Sequence, residues 1–445
     1  MNPSFTWGVA TSAYQIEGGR HAGGKGESIW DTFSDAGRLA DPGDVACDHF
    51  HRWQDDLDLM AELGVDAYRL STAWTRVLPD GDGQVNPDGI EFYRQLLTGM
   101  RERGIEPYLT LYHWDLPRSL QDRGGWPERE TVDAFERYAT VMVENLGDLV
   151  SNWITQNEPW VSAFLGHLYG IFPPGQADWA MALRASHHLL LSHGRAMRAI
   201  REVDPDARLG IALDCRPTRP GSDPRPATRH FDGFRNRWMF DPIFGLGYPV
   251  DMVVEYESAG RIPGGLESFV AEGDMETIAA SNDFLGINYY TTVEVTPGAE
   301  ERDDPEGPIG GSDDPRFTEM GWLVDPAGLE EFLVRVHDEY RPRSILITEN
   351  GASYSDGPDE DGVIDDTRRI EYLAGHISAV ERARAREVPV DGYFVWSFLD
   401  NLEWLQGFSQ RFGLVWVDHE TQQRVPKASF RWYGERIRSK GALGG

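Results

Sequence analysis

Two glutamates in short polar strings are the residues of this chain best suited to chemistry. WITQNEPW, residues 153–160, carries Glu158, and ILITENG, residues 345–351, carries Glu349. Each stands directly after a β-prone run, the place where a barrel enzyme displays its catalytic groups. If both strands point into one cleft, a pair of carboxylates is enough to cleave a glycosidic bond: one protonates the leaving oxygen while the other attacks the sugar carbon. That chemistry asks for no metal and no organic cofactor, and none is expected. Cys47 and Cys215 lack metal-ligand spacing, and His21, His49, His51, His187 and His188 are scattered in a way that predicts satisfied or exposed rings.

The elements that must carry the two glutamates are legible as an alternation. Short apolar runs occur at residues 5–10, 67–71, 106–111, 153–156, 208–213, 284–289, 344–348 and 392–396. Amphipathic stretches lie between them, at 53–63, 90–103, 130–146, 180–203, 328–340 and 367–386. Strands alternating with helices imply βα units and a parallel sheet, and eight strands is the barrel count. The expectation is an α/β protein with a single (β/α)8 TIM barrel over residues 1–445 and extended βα loops. Residues 296–315, rich in Asp, Glu, Gly and Pro, read as a solvated loop, and the breaker-rich residues 216–226 as part of a cleft rim.

Composition narrows the partners. With 42 Lys and Arg against 73 Asp and Glu, the formal charge of −31 argues against nucleic acid and anionic lipid. Lysine occurs only as Lys25, Lys427 and Lys440, so nearly all positive charge is arginine, whose forked guanidinium suits carboxylate pairing. Fifteen tryptophans and an aromatic fraction of 11% provide flat apolar faces for the C–H faces of sugars. The chain starts without a basic or apolar leader, no apolar run approaches the roughly 20 residues that cross a bilayer, and two cysteines are too few for a disulfide framework. A reducing cytoplasm is expected, and a homo-oligomer is compatible with the sequence.

TQNEPW and ITENG at this separation resemble the acid/base and nucleophile signatures of glycoside hydrolase family 1, the β-glucosidase family. The resemblance runs through nearly the whole chain: FTWGVATSAYQIEGG, YRLSTAW, LYHWDLP, LGINYYT, YFVWSFLDNLEW and RFGLVWVD follow in the order that family shows. It implies a retaining β-glycosidase acting on small β-glycosides or oligosaccharides, with Glu158 as general acid/base and Glu349 as nucleophile. Local chemistry supports the same division. Arg69, at the end of the second run, is expected to place a cation beside Glu349, and Tyr290 to donate a hydrogen bond to it, keeping it ionised. A charged Glu349 in turn raises the affinity of Glu158 for its proton.

The resemblance also implies a glycone pocket. Gln15, His113, Trp114, Asn157, Glu403 and Trp404 match residues that hydrogen-bond or border the nonreducing sugar, Trp396 matches the platform beneath it, and Phe412 an aromatic near the 6-OH. Glu403 stands where phospho-β-glycosidases of the family carry phosphate-binding Ser and Lys, so an unphosphorylated sugar is expected, glucose first, with fucose and galactose open. On the leaving-group side Trp322 resembles the sandwiching aromatic, and Leu165, His167 and Phe172 are expected to line the same entrance. Here the chain departs from the family, reading GIFPPG at 170–175 where relatives commonly read G-x-H-A-P-G. A sugar-binding pseudoenzyme is disfavoured by retention of both glutamates, whereas transglycosylation shares the covalent intermediate and stays open.

Overall fold

The computed structural model describes residues 5–220, 225–295 and 314–439. The eight apolar runs form strands β1 (Thr6–Ala10), β2 (Ala67–Ser71), β3 (Glu106–Tyr112), β4 (Asn152–Asn157), β5 (Arg208–Cys215), β6 (Phe284–Tyr289), β7 (Ile345–Asn350) and β8 (Val390–Trp396). Each pairs in parallel with its neighbour in sequence, and β8 closes on β1 with Trp396 opposite Ala10, giving a closed barrel. Strands covered on both faces must be largely apolar, which is why most of these segments are rich in Val, Ile, Leu and aromatics, with polar residues gathered toward the ends, as in NWITQN of β4.

One side chain from every strand fills the barrel interior: Ala10, Ala67, Tyr108, Ile154, Ala212, Phe284, Leu346 and Phe394. Small residues opposite large rings let that layer interdigitate. Because every second residue of a strand faces the same way, Arg69 and Trp396 continue the inward rows of Ala67 and Phe394 toward the C-terminal end. The floor of the site is thus set by the packing layer beneath it.

The expected helices form as His49–Leu63, Pro87–Glu102, Glu130–Leu146, Trp179–Val203, Pro326–Tyr340 and Thr367–Ala385. Their starts have local causes. Asn86, Asp178 and Asp325 each accept a hydrogen bond from a backbone N–H of the first turn, and proline follows Asn86 and Asp325 directly.

Three features differ from the sequence reading. Strand β7 continues to Asn350, so Glu349 lies on the strand and not after it. Between β5 and β6 stand four helices that were not anticipated, Arg225–Asp232, Trp238–Ile243, Val250–Ser258 and Asp274–Ile278, each too short for a helical period to declare itself. Pro242, Gly245, Gly247 and Pro249 punctuate that stretch. The C-terminal helix Ala428–Arg438 was also missed; its Tyr433 hydroxyl donates to the Gly8 carbonyl at 2.9 Å, docking the helix on β1. Of the proposed loop 296–315, residues 296–313 lie outside the described residues. Within 216–226, Thr218–Pro220 pairs with Val293–Val295 as a short ribbon.

No helix among the described residues is long and apolar enough to cross a membrane. Nor do those residues contain three or more His, Cys, Asp or Glu side chains grouped to hold a metal ion. His49 instead pairs with Asp56 at 2.8 Å, and His187 with Asp274 and Tyr248, each at 3.0 Å. Cys47 and Cys215 are free and buried.

Candidate active site

Glu158 leaves the end of β4 in a left-handed conformation, φ 49°, which costs a non-glycine residue about 1–3 kcal/mol and turns its side chain into the barrel mouth. Its backbone N–H donates to the Ala212 carbonyl of β5 at 2.8 Å, holding the bend. Its Oε1 accepts from Asn288 Nδ2 at 2.6 Å. Glu349, from β7, accepts from Arg69 Nη1 on Oε1 and from the Tyr290 hydroxyl on Oε2, both at 2.5 Å. The Asn288 amide is itself fixed, for its Oδ1 accepts from Thr348 Oγ1 at 2.6 Å and its Nδ2 also reaches Asn157 Oδ1 at 3.0 Å. Strands β2, β4, β6 and β7 are thereby tied together at their C-terminal ends.

Both carboxylates line one cavity that opens to solvent, with about 910 Å³ of empty space when the open mouth is included. Immediately after β7, a Cβ on Gly351 would meet the Trp396 carbonyl oxygen at 1.6 Å. Only glycine lets the chain lie so close to β8.

The environment separates the two acids. Glu158 is lifted well above the ordinary carboxylate value, by burial first and then by the negative charges of Glu349 and Asp214. Burial raises Glu349 as well, while the Arg69 guanidinium, the Tyr290 hydroxyl and Asn288 work against it. Arg69 and Tyr290 stand against Glu349 as the sequence predicts, and there they offset its burial. With a cation bonded to Glu349 and, among the described residues, none bonded to Glu158, a proton shared by the pair belongs on Glu158.

The wall around the carboxylates is rich in aromatic side chains. His113, Trp114, Tyr290, Trp322, Trp396, Glu403, Trp404 and Phe412, all singled out from the sequence, line it. Trp404 packs 4.6 Å from Trp114, and the His113 ring lies nearly parallel to that of Trp396 at 5.8 Å. Gln15, Asn157 and Arg69 sit behind this wall. Gln15 Nε2 donates to the Leu402 carbonyl at 2.9 Å and to Glu403 Oε2 at 3.5 Å. Asn157 Oδ1 accepts from Arg69 Nη2 at 2.5 Å, so its Nδ2 is the donor to His113 Nε2 at 3.0 Å. This makes His113 a neutral ring protonated on Nδ1, consistent with burial and the nearby Arg69 pushing its pKa well down. Nδ1 has no partner among the described residues.

On the leaving-group side, Leu165 and Phe172 line the cavity as expected, but His167 does not. Its Nδ1 bonds Gln176 Oε1 at 2.7 Å, and burial pushes its pKa down to about 4. Phe172 packs edge-on against Trp30 at 5.1 Å.

Asn288, Asp214 and Arg235 were missed. All three line the cavity. The available signal for Asn288 was a lone amide in the apolar run FLGINY near a strand's C-terminal end. Its replacement by alanine releases Glu158 Oε1 and leaves Thr348 without its acceptor. We expect kcat/KM for an aryl β-glucoside to fall on the order of 10–100-fold with a folded protein, read by steady-state kinetics beside thermal unfolding.

Comparison with known proteins agrees with this geometry. The description of glycosyl hydrolase family 1 matches residues 1–442. Beta-glucosidase A of Thermotoga maritima is 44% identical over 98% of this chain and 97% of its own. A bifunctional β-D-glucosidase/β-D-fucosidase of Bifidobacterium breve is 40% identical over 96% of each chain. The solved β-glucosidase from Thermotoga maritima in complex with glucoimidazole is similar with a TM-score of 0.91 at 44% identity, over 98% of both chains. The chain thus belongs to glycosyl hydrolase family 1 and is a glycoside hydrolase of the β-glucosidase type.

Proposed function

We propose that this protein removes terminal, unphosphorylated β-D-glucosyl residues from small β-glycosides and oligosaccharides in the cytoplasm, as a single catalytic domain, with Glu349 as nucleophile and Glu158 as general acid/base. The observation that carries the reading is asymmetric: two buried carboxylates share a cavity, and among the described residues a cation is bonded to only one of them. In the first step a Glu349 oxygen attacks the anomeric carbon while the Glu158 proton passes to the departing glycosidic oxygen. In the second, water attacks the same carbon, Glu158 takes its proton and Glu349 leaves as a carboxylate. Two inversions give net retention of the β configuration.

Sugar recognition follows from the wall. Trp396 offers an apolar face to the ring, and His113 Nδ1 and the Glu403 carboxylate supply a donor and an acceptor for hydroxyls. A site built on such bonds penalises an analogue that leaves them unpaired. The Bifidobacterium relative, bifunctional by name, supports including β-fucosides. Comparison of kcat/KM on aryl β-glucoside, β-fucoside, β-galactoside and 6-phospho-β-glucoside tests the pocket. The phosphorylated donor is expected to be at least about 100-fold poorer than the glucoside, because like charges facing each other across a binding site cost several kcal/mol. A preference for it would overturn the role given to Glu403.

A further inference from the structure

The wall behind Glu158 holds a second carboxylate and a buried guanidinium that the two steps above do not use. Asp214 lies on β5, two residues beyond Ala212, whose carbonyl accepts the Glu158 backbone N–H. Arg235 is buried with its guanidinium carbon 3.5 Å from the centroid of the Trp160 ring and its Nη1 2.6 Å from Asp214 Oδ2. Trp160 stands two residues after Glu158, and Asp214, Arg235 and Glu158 all line the same cavity. A buried ion pair is a poor stabilising device, since desolvation costs several kcal/mol per ion and the attraction often does no more than offset it. Its place beside a catalytic acid calls for another account.

We propose that Asp214 and Arg235 form a positioning pair that sets how tightly Glu158 holds its proton in both half-reactions: Asp214 supplies a negative charge that outlasts that of Glu349, and Arg235 fixes and partly offsets it. The proposal rests on the assignment of Glu158 as acid/base. The titratable and charged groups around Glu158 are Glu349 from β7, Tyr290 following β6, Asp214 and Cys215 from β5, Arg235, and Arg216, which stacks on Trp322 at 5.1 Å. Arg69 of β2 acts on Glu349 and Asn157. Of the negative charges that bear on Glu158, that of Glu349 vanishes when it becomes an ester. Glu158 must then accept a proton from water, and an ordinary carboxyl is a weak base near neutral pH. Asp214 is not consumed, so part of the repulsion survives; Asp214 and Arg235 act on Glu158 in opposite senses.

The test is the pH profile of the full-length enzyme on an aryl β-glucoside, whose alkaline limb in kcat/KM reports loss of the Glu158 proton. Asp214→Asn is expected to move that limb down by about 1 pH unit, Arg235→Gln to move it up, and the double variant to fall between them. With a dinitrophenyl donor, for which the second step limits turnover, kcat of Asp214→Asn should fall about three-fold as Glu158 weakens as a base. The position of a limb does not depend on the fraction of active protein, so partial unfolding cannot imitate opposite shifts. Limbs that stay in place, or move the same way in both single variants, overturn the proposal. Glu158→Ala on the same aryl β-glucoside is the control. Loss of the limb there with no movement in Asp214→Asn removes this proposal alone, whereas a limb that persists in Glu158→Ala removes the acid/base assignment and the proposal with it.

Discussion

Glu349→Gly abolishes hydrolysis of every β-glycoside, with kcat/KM lower by more than about 10⁴-fold, and azide restores turnover to an α-glycosyl azide. The magnitude follows from removing the atom that forms the covalent bond, a loss that neither the pocket nor the acid replaces. The stereochemistry follows from the space the side chain vacates: a small anion beside Arg69 and Tyr290 attacks the face Glu349 used, and a single inversion gives the α product. Loss of the carboxylate also relieves the repulsion that raises Glu158. Rate measurements with an activated donor, with and without azide, and NMR of the anomeric proton check both points. A β product would exchange the roles of the two acids.

Glu158→Ala gives the complementary result. For a poor leaving group the departing oxygen must leave unprotonated, and kcat falls on the order of 10²–10⁴-fold. With a dinitrophenyl donor the first step needs no acid, so glycosyl-enzyme accumulates, KM falls with kcat, and azide intercepts the intermediate to give the β-glycosyl azide. A loss independent of leaving-group acidity would instead mean that Glu158 holds the substrate and does not transfer a proton.

The barrel was legible because its strands are buried on both faces. Apolar runs of that kind stand out, and all eight ends fall within two residues of the observed bounds. Both glutamates were legible for the same reason, since they sit at or just past those strand ends, whereas Trp114, Trp322, Trp396, Trp404 and Phe412 were legible only through the resemblance to the family. Burial of Glu349 was not. Arg69 and Tyr290 are correctly placed against it, but the sequence carries no measure of how dry the site is, and that dryness raises both acids. Asn288 was hidden inside an apolar run, and Asp214 and Arg235 become neighbours only through a stretch of short helices broken by glycine and proline. His167 illustrates the converse error. It stands close to Leu165 and Phe172 in sequence, yet the Gln176 side chain draws it away from the cavity they share.

The missing side chain at Gly351 has a consequence for how this enzyme can change. Where the peptide that follows Glu349 rests on the Trp396 carbonyl oxygen, with no room for even a methyl group, the proposed attacking atom and the proposed surface under the sugar are one mechanical body. Any adaptation that shifts the backbone at Trp396 to admit a different sugar also drags the proposed nucleophile off its line of attack. New glycone preferences are therefore channelled into side chains elsewhere on the wall, such as Glu403, Trp404 and Phe412, whose own segments do not carry Glu349.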